Sequence, residues 1–154
     1  PPARLHSPYI LMHMRGTPST MQKLTDYDDI VGDITADLVA KVQFFRSQGV
    51  ADIIIDPGFG FSKTTEQNYT LLAATRHLSQ ITGCPVLVGV SRKSMITRPL
   101  GITPDQALPA TTAVHVMALL EGASILRVHD AREARQAITV TSMYLSNKQS
   151  APWT

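Results

Sequence analysis

The segment Ile53-Ile54-Ile55-Asp56-Pro57-Gly58-Phe59-Gly60-Phe61 passes abruptly from a β-branched run into a rigid, glycine-rich loop. The apolar run is too short for a helix and suits a strand, while the loop is built from turn residues. Three similar runs lie outward of it: Tyr9-Ile10-Leu11-Met12 upstream, and Val86-Leu87-Val88-Gly89-Val90 and Ile125-Leu126-Arg127-Val128 downstream. Helical spacing fills the intervals. Ile30, Ile34, Leu38, Val42 and Phe45 form one stripe within Asp28–Gln48, where Asp26, Asp28 and Asp29 crowd the start and Gly49 follows the end. Glu66–Ile81 reads as one helix with Leu71, Leu72, Thr75, Leu78 and Ile81 facing inward, closed by Gly83. After a Pro-interrupted connection, a helix from Pro109 to Glu121 carries Ala113, Val116, Met117 and Leu120, and a last one spans Ala131–Leu145 before a frayed tail. Strands apolar on both faces, alternating with helices, predict an α/β fold with a parallel sheet. Either an open doubly wound sheet or part of a (β/α)8 barrel fits this pattern.

Composition narrows the function classes. The chain has 154 residues, with 14 Lys+Arg against 12 Asp+Glu for a formal charge of +2, and is 44% hydrophobic. That length can bury a substantial core, and the apolar content excludes disorder. The weak positive balance and the lack of any Lys/Arg run argue against a nucleic-acid partner. A single cysteine excludes a disulfide framework and a Cys-based zinc site, and fits a reducing, cytoplasmic setting. No apolar run reaches membrane-spanning length and no signal peptide is seen, so no membrane partner is expected.

Each apolar run ends in a loop with unusual polar residues: His13 and Arg15, then Asp56, then Ser91-Arg92-Lys93-Ser94, then Arg127, His129 and Asp130. In parallel α/β architectures these loops converge on one face, and that face holds the site. The opposite connections carry plain turn residues such as Gly49, Gly83 and Gly122. Blander readings exist for each motif alone. Asp-Pro-Gly is a common turn, Ser-Arg-Lys-Ser suits a solvated loop or helix start, and His129-Asp130 suits a helix cap. His6, His77 and His115 read as surface or packing residues, and Cys84 as a small buried hydrophobe. Arg127, however, lies within an apolar strand, where a buried guanidinium is costly without a partner. Taken together, one carboxylate at a strand end with surplus cations suits a donor-rich heterocycle bearing an anionic, phosphate-like tail. Phe59 and Phe61 would add aromatic faces. No nucleophile elbow, P-loop, dinucleotide fingerprint or metal-ligand spacing is present, so no metal ligand is assigned in this chain.

Four ordered motifs carry a family resemblance. Leu11-Met12-His13-Met14-Arg15-Gly16, Asp56-Pro57-Gly58-Phe59-Gly60-Phe61-Ser62-Lys63, Gly89-Val90-Ser91-Arg92-Lys93-Ser94 and Arg127-Val128-His129-Asp130 resemble the dihydropteroate synthase family in order and spacing. The likeness extends over nearly the whole chain, including the segment from Met21 onward and Asn68. It implies a pterin-binding (β/α)8 barrel of folate biosynthesis, the target of sulfonamides. Such an enzyme joins 6-hydroxymethyl-7,8-dihydropterin pyrophosphate to 4-aminobenzoate and releases pyrophosphate, with Mg²⁺ assisting. The resemblance assigns Met12, Asp56, Gly89, Lys93 and Arg127 to the pterin. Phe61, Arg92 and Ser94 would border the aminobenzoate, and Arg127 and His129 would meet the pyrophosphate. Lys93, Arg127 and His129 would be the catalytic group, stabilising the departing anion electrostatically.

The resemblance also implies what is missing. Residues 1–154 match the last four or so βα units, roughly half of an eight-unit barrel of about 250 residues. The Pro1-Pro2 start reads as a cut between units. The Mg²⁺ ligand is expected from the absent N-terminal half, and the chain alone is expected to be inactive. Open sheet edges predict a homo-oligomer, through pairing of half-barrels. Two other readings compete: a pterin-binding methyltetrahydrofolate corrinoid methyltransferase, and a non-catalytic doubly wound module for a phosphorylated ligand. Strand order separates barrel from doubly wound sheet.

Overall fold

The β-branched run Ile53–Asp56 (β2) pairs in parallel with Tyr9–Met12 (β1), in the register Tyr9↔Ile53, Ile10↔Ile54, Leu11↔Ile55 and Met12↔Asp56. Leu87–Val88 (β3) pairs in parallel with Ile125–Leu126 (β4), in the register Leu87↔Ile125 and Val88↔Leu126. One bridge, Ile55↔Val86, links the two pairs. These features come from a computed structural model, which describes residues 7–16 and 24–149. Among the described strands, neighbours in the sheet are neighbours in sequence, with no switch point. The expectations for Pro1-Pro2, His6 and Met21 fall outside the described residues.

The helices are Ile30–Ser47 (α1), Thr65–Ala73 (α2), Thr75–Thr82 (α3), Ser94–Leu100 (α4), Leu108–Leu120 (α5) and Ala131–Gln149 (α6), with a 3-10 turn at Pro104–Gln106. No helix among them is long and apolar enough to cross a membrane. Asp29 caps α1 by accepting from Val31 N, and Ile30, Ile34, Leu38 and Val42 bury the expected stripe. Thr64 and Gln67 form a reciprocal capping box at the start of α2. The core gathers this stripe with Leu11, Ile55, Leu71, Leu78, Val86 and Val88.

Several sequence expectations need correction. The segment Glu66–Ile81 is two helices meeting at Ala74, where the Thr75 hydroxyl donates to Leu72 O at 2.7 Å and offers the backbone an alternative to a continuous ladder. Ile81 is exposed, and Thr82 takes the inward position. α5 turns a different face inward: Thr111, Val114, His115 and Ala118 are buried, while Met117 is exposed. That face combines the core residues Val114 and Ala118 with Thr111, whose Oγ1 accepts from Arg92 N at 3.2 Å. α6 continues past Leu145 to Gln149. β1 and β4 are not covered on both faces, since Ile10 and Ile125 are exposed, whereas β2 and β3 carry no exposed residue and are covered as expected.

Candidate active site

The β2–α2 loop is wound tightly by three left-handed residues: Gly58 at φ 73°, Gly60 at φ 80° and Ser62 at φ 54°. Glycine is required at 58, because a Cβ there would lie 1.9 Å from His13 O. The winding turns Gly58 N back onto Asp56 Oδ1 at 2.8 Å, an Asx-type turn that fixes the carboxylate. Gly60 N donates to Asn68 Oδ1 at 2.7 Å, which anchors the loop to α2. Asp56 is fully buried, and strand register sets Met12 beside it.

Its second oxygen is the open part of the site. Arg127 Nη2 lies 3.0 Å from Asp56 Oδ2, close enough to pair charges. The guanidinium N–H bonds are not aimed at that oxygen, which accepts no hydrogen bond. Arg127 itself is half exposed and lies over Gly89, where a Cβ would come within 2.7 Å of Nη2. Arg127 N donates to Val88 O at 2.9 Å, so β3 positions the residue from its backbone.

Lys93 reaches across from the β3 loop. Its Nζ donates to Phe59 O and sits 4.7 Å from the centre of the Phe61 ring. Burial lowers its pKa to about 8, against the opposing pull of Asp56. His129 meets Ser91, with Nδ1 and Ser91 Oγ 3.0 Å apart. Gly89, Ser91, Lys93, Arg127, Val128 and His129 line a cavity of about 170 Å³. The strand ends therefore bring Met12, Asp56, Gly89, Lys93, Arg127 and His129 into one region.

The rest of the expected set is placed differently. Phe59 is wholly buried in the core and offers no aromatic face to a ligand, whereas Phe61 is part-exposed beside Lys93 Nζ. Arg92, at φ 57°, is committed to Asp130: Nε donates to Oδ2 at 3.0 Å and Nη2 to Oδ1 at 2.6 Å. This bidentate bond lowers the pKa of Asp130 and raises that of Arg92. Asp105 adds a longer contact at 3.5 Å. Ser94 begins α4 on the surface. His115 is buried, and burial pushes its pKa down.

Sequence reasoning gave no role to Lys63. It is 7% exposed, and Nζ donates to Gly58 O at 3.0 Å and Phe61 O at 2.9 Å while facing His13 Nδ1 at 3.3 Å. A lysine between Ser62 and Thr64 gives no periodic signal, and its burial emerges only from the fold. Among the described residues, no group of three or more His, Cys, Asp or Glu is placed to hold a metal ion.

Sequential parallel strands with a buried carboxylate and converging cations at their ends describe an α/β fold with a candidate ligand site, and residues 3–129 match the family model described as "Pterin binding enzyme". The chain belongs to that family. It is similar to the dihydropteroate synthases of Escherichia coli K12, 39% identical over 93% of this chain and 51% of that protein, and of Synechocystis sp., 45% identical over 90% and 48%. It also resembles the crystal structure of dihydropteroate synthase from Thermus thermophilus in complex with 4-aminobenzoate. That match has a TM-score of 0.88 and 38% identity, and covers 92% of this chain and 56% of that one. The chain thus spans about half the length of the curated relatives it matches.

Proposed function

We propose that the chain is the second half of a pterin-binding (β/α)8 barrel and supplies one side of a dihydropteroate synthase site. The observation that carries this reading is the buried Asp56, whose Oδ2 accepts no hydrogen bond while Arg127 and Lys93 converge beside it. A ligand with adjacent N–H donors, such as the amino-pyrimidine edge of a pterin, satisfies that oxygen. Such a ligand gives the carboxylate the aimed hydrogen bonds that the Arg127 ion pair does not supply. The Arg127 guanidinium then leaves the carboxylate and stacks on the pterin face, and Gly89, over which it now lies, leaves room for the ring. Met12 packs against the ring, and Lys93 donates to its carbonyl side.

In the reaction, the C–O bond to pyrophosphate breaks and the amine nitrogen of 4-aminobenzoate forms the new C–N bond, losing a proton. Arg127, His129 and Lys93 stabilise the departing pyrophosphate without a protein nucleophile. Phe61 and Ser94 border the aminobenzoate. Arg92 contributes to that border through the loop it ties to Asp130. We assign the Mg²⁺ ligand to the other half of the barrel; among the described residues no group of three or more His, Cys, Asp or Glu is placed to hold a metal ion. A cavity of about 170 Å³ is also small beside the 300–1,000 Å³ of usual ligand pockets, in keeping with a partial site.

A doubly wound phosphate-binding module is disfavoured by the sequential strand order. The test is calorimetric titration of pterin, and separately pyrophosphate, into the chain and into Asp56→Asn. Pterin binding that is lost in the variant, with pyrophosphate binding kept, supports the reading. Pterin binding unaffected by the change refutes it. A steady-state assay with both substrates is expected to give negligible turnover, and sedimentation a self-associating species.

A further inference from the structure

We propose that Lys63 is the positioning residue for the Asp56 carboxylate, locking the β2–α2 loop to the end of β1 through a neutral His13. The inference rests on the reading of Asp56 as the group that recognises the ligand. An ammonium has three donors, and Lys63 Nζ has three acceptors in reach: Gly58 O at 3.0 Å, Phe61 O at 2.9 Å and His13 Nδ1 at 3.3 Å. For Nδ1 to accept, it must be unprotonated, which places the ring proton on Nε2, where Asp37 Oδ2 lies 4.0 Å away. Burial and the neighbouring Lys63 lower the His13 pKa to about 4, so the ring is neutral near neutrality.

The lock acts on the residues that matter. Gly58, whose carbonyl Lys63 holds, uses its N–H to fix Asp56 Oδ1, and His13 N donates to Asp56 O at 2.9 Å. Lys63, through Gly58, and His13 therefore hold Asp56 at its side chain and at its backbone carbonyl. Nothing in the geometry aims Lys63 at the cavity that Lys93 and Arg127 line, so its part is indirect.

Three measurements on the chain test this. In the unmodified protein, long-range ¹⁵N–¹H correlation of His13 should show an Nε2–H tautomer at neutral pH; an Nδ1–H tautomer overturns the proposal without any variant. In Lys63→Met, the amide of Gly58 should exchange about tenfold faster, the equivalent of roughly 1.4 kcal/mol, while that of Leu78 in α3 stays unchanged. Lys63→Arg should restore the protection. Equal acceleration at both amides, or none at Gly58, overturns the proposal, since a merely structural lysine would loosen all sites together. Pterin titration of Lys63→Met should then show about tenfold weaker binding with pyrophosphate unaltered. If the unmodified chain takes up no pterin, the ligand assignment fails, while tautomer and exchange still decide the role of Lys63.

Discussion

Alanine at position 58 should be far more damaging than alanine at position 101, although both glycines are left-handed. Gly101 has φ 62° and a Cβ there would meet nothing within 4 Å, so Gly101→Ala carries only the left-handed backbone cost of about 1 kcal/mol. Gly58, at φ 73°, bears the same cost and adds a collision, with Cβ 1.9 Å from the backbone oxygen of His13. Backbone cannot swing aside as a flexible side chain can, so the loop must move. That movement breaks two bonds to charged groups, Gly58 N to Asp56 Oδ1 at 2.8 Å and Lys63 Nζ to Gly58 O at 3.0 Å. Each is worth about 1.5–3 kcal/mol, so the loss for Gly58→Ala is about 4 kcal/mol or more. Equilibrium urea unfolding followed by far-UV circular dichroism measures it. With a slope of about 2 kcal/mol/M, the two variants should differ by about 1.5 M in midpoint. Midpoints within about 0.5 M of each other would refute the steric reasoning.

Gly89→Ala should behave in the opposite way. Its Cβ would meet the Arg127 guanidinium at 2.7 Å, but that side chain is half exposed and can move. Stability should change by less than about 1 kcal/mol while pterin affinity drops about tenfold, and unaltered binding in calorimetry would contradict the placement of Arg127. His13 makes stability pH-dependent: with its folded pKa lowered to about 4 from 6.5, the unfolded chain binds more protons between those values. Stability contributed by the neutral ring is full above pH 6.5 and is lost as pH falls towards 4, by roughly 3 kcal/mol. Urea midpoints across this window should fall in the wild type and much less in His13→Asn. Pyrophosphate binding should weaken as pH rises through about 8, where Lys93 loses its proton. The same fall in Lys93→Met would count against that assignment.

Periodicity and residue type made the strands, α1 and the converging loop ends legible, because an apolar run ending at Asp56 or leading to Lys93 leaves a strong pattern in the chain. The face of α5 was not legible. Apolar counting favours Met117 and Leu120, but the buried face mixes Val114 and Ala118 with the polar Thr111 and His115, and Thr111 accepts from the backbone N–H of Arg92. The break at Ala74 rests on one threonine hydroxyl, and propensity does not see it. Loop position and resemblance point to Asp56 and Arg127, yet their 3.0 Å approach comes from the bridge of β2 to β3 and the pairing of β3 with β4. Phe59 and Phe61 stand two residues apart and look equivalent in sequence, but the left-handed turn at Gly60 separates them into core and site. Lys63 was hidden for the reverse reason, since a charged loop residue is ordinarily solvated.

The backbone joins the two strand pairs thinly, with one bridge at Ile55↔Val86 and the bond from Ile55 N to Pro85 O at 3.0 Å. Asp56 lies on one side of this seam and Arg127 and Lys93 on the other. The contacts that cross it at the site, Arg127 to Asp56 and Lys93 to Phe59 O, are made by long, flexible side chains. A ligand held by both banks would therefore act as a rivet, and its affinity would report how firmly the two halves of the sheet are fastened as well as how well each recognises its share of the molecule.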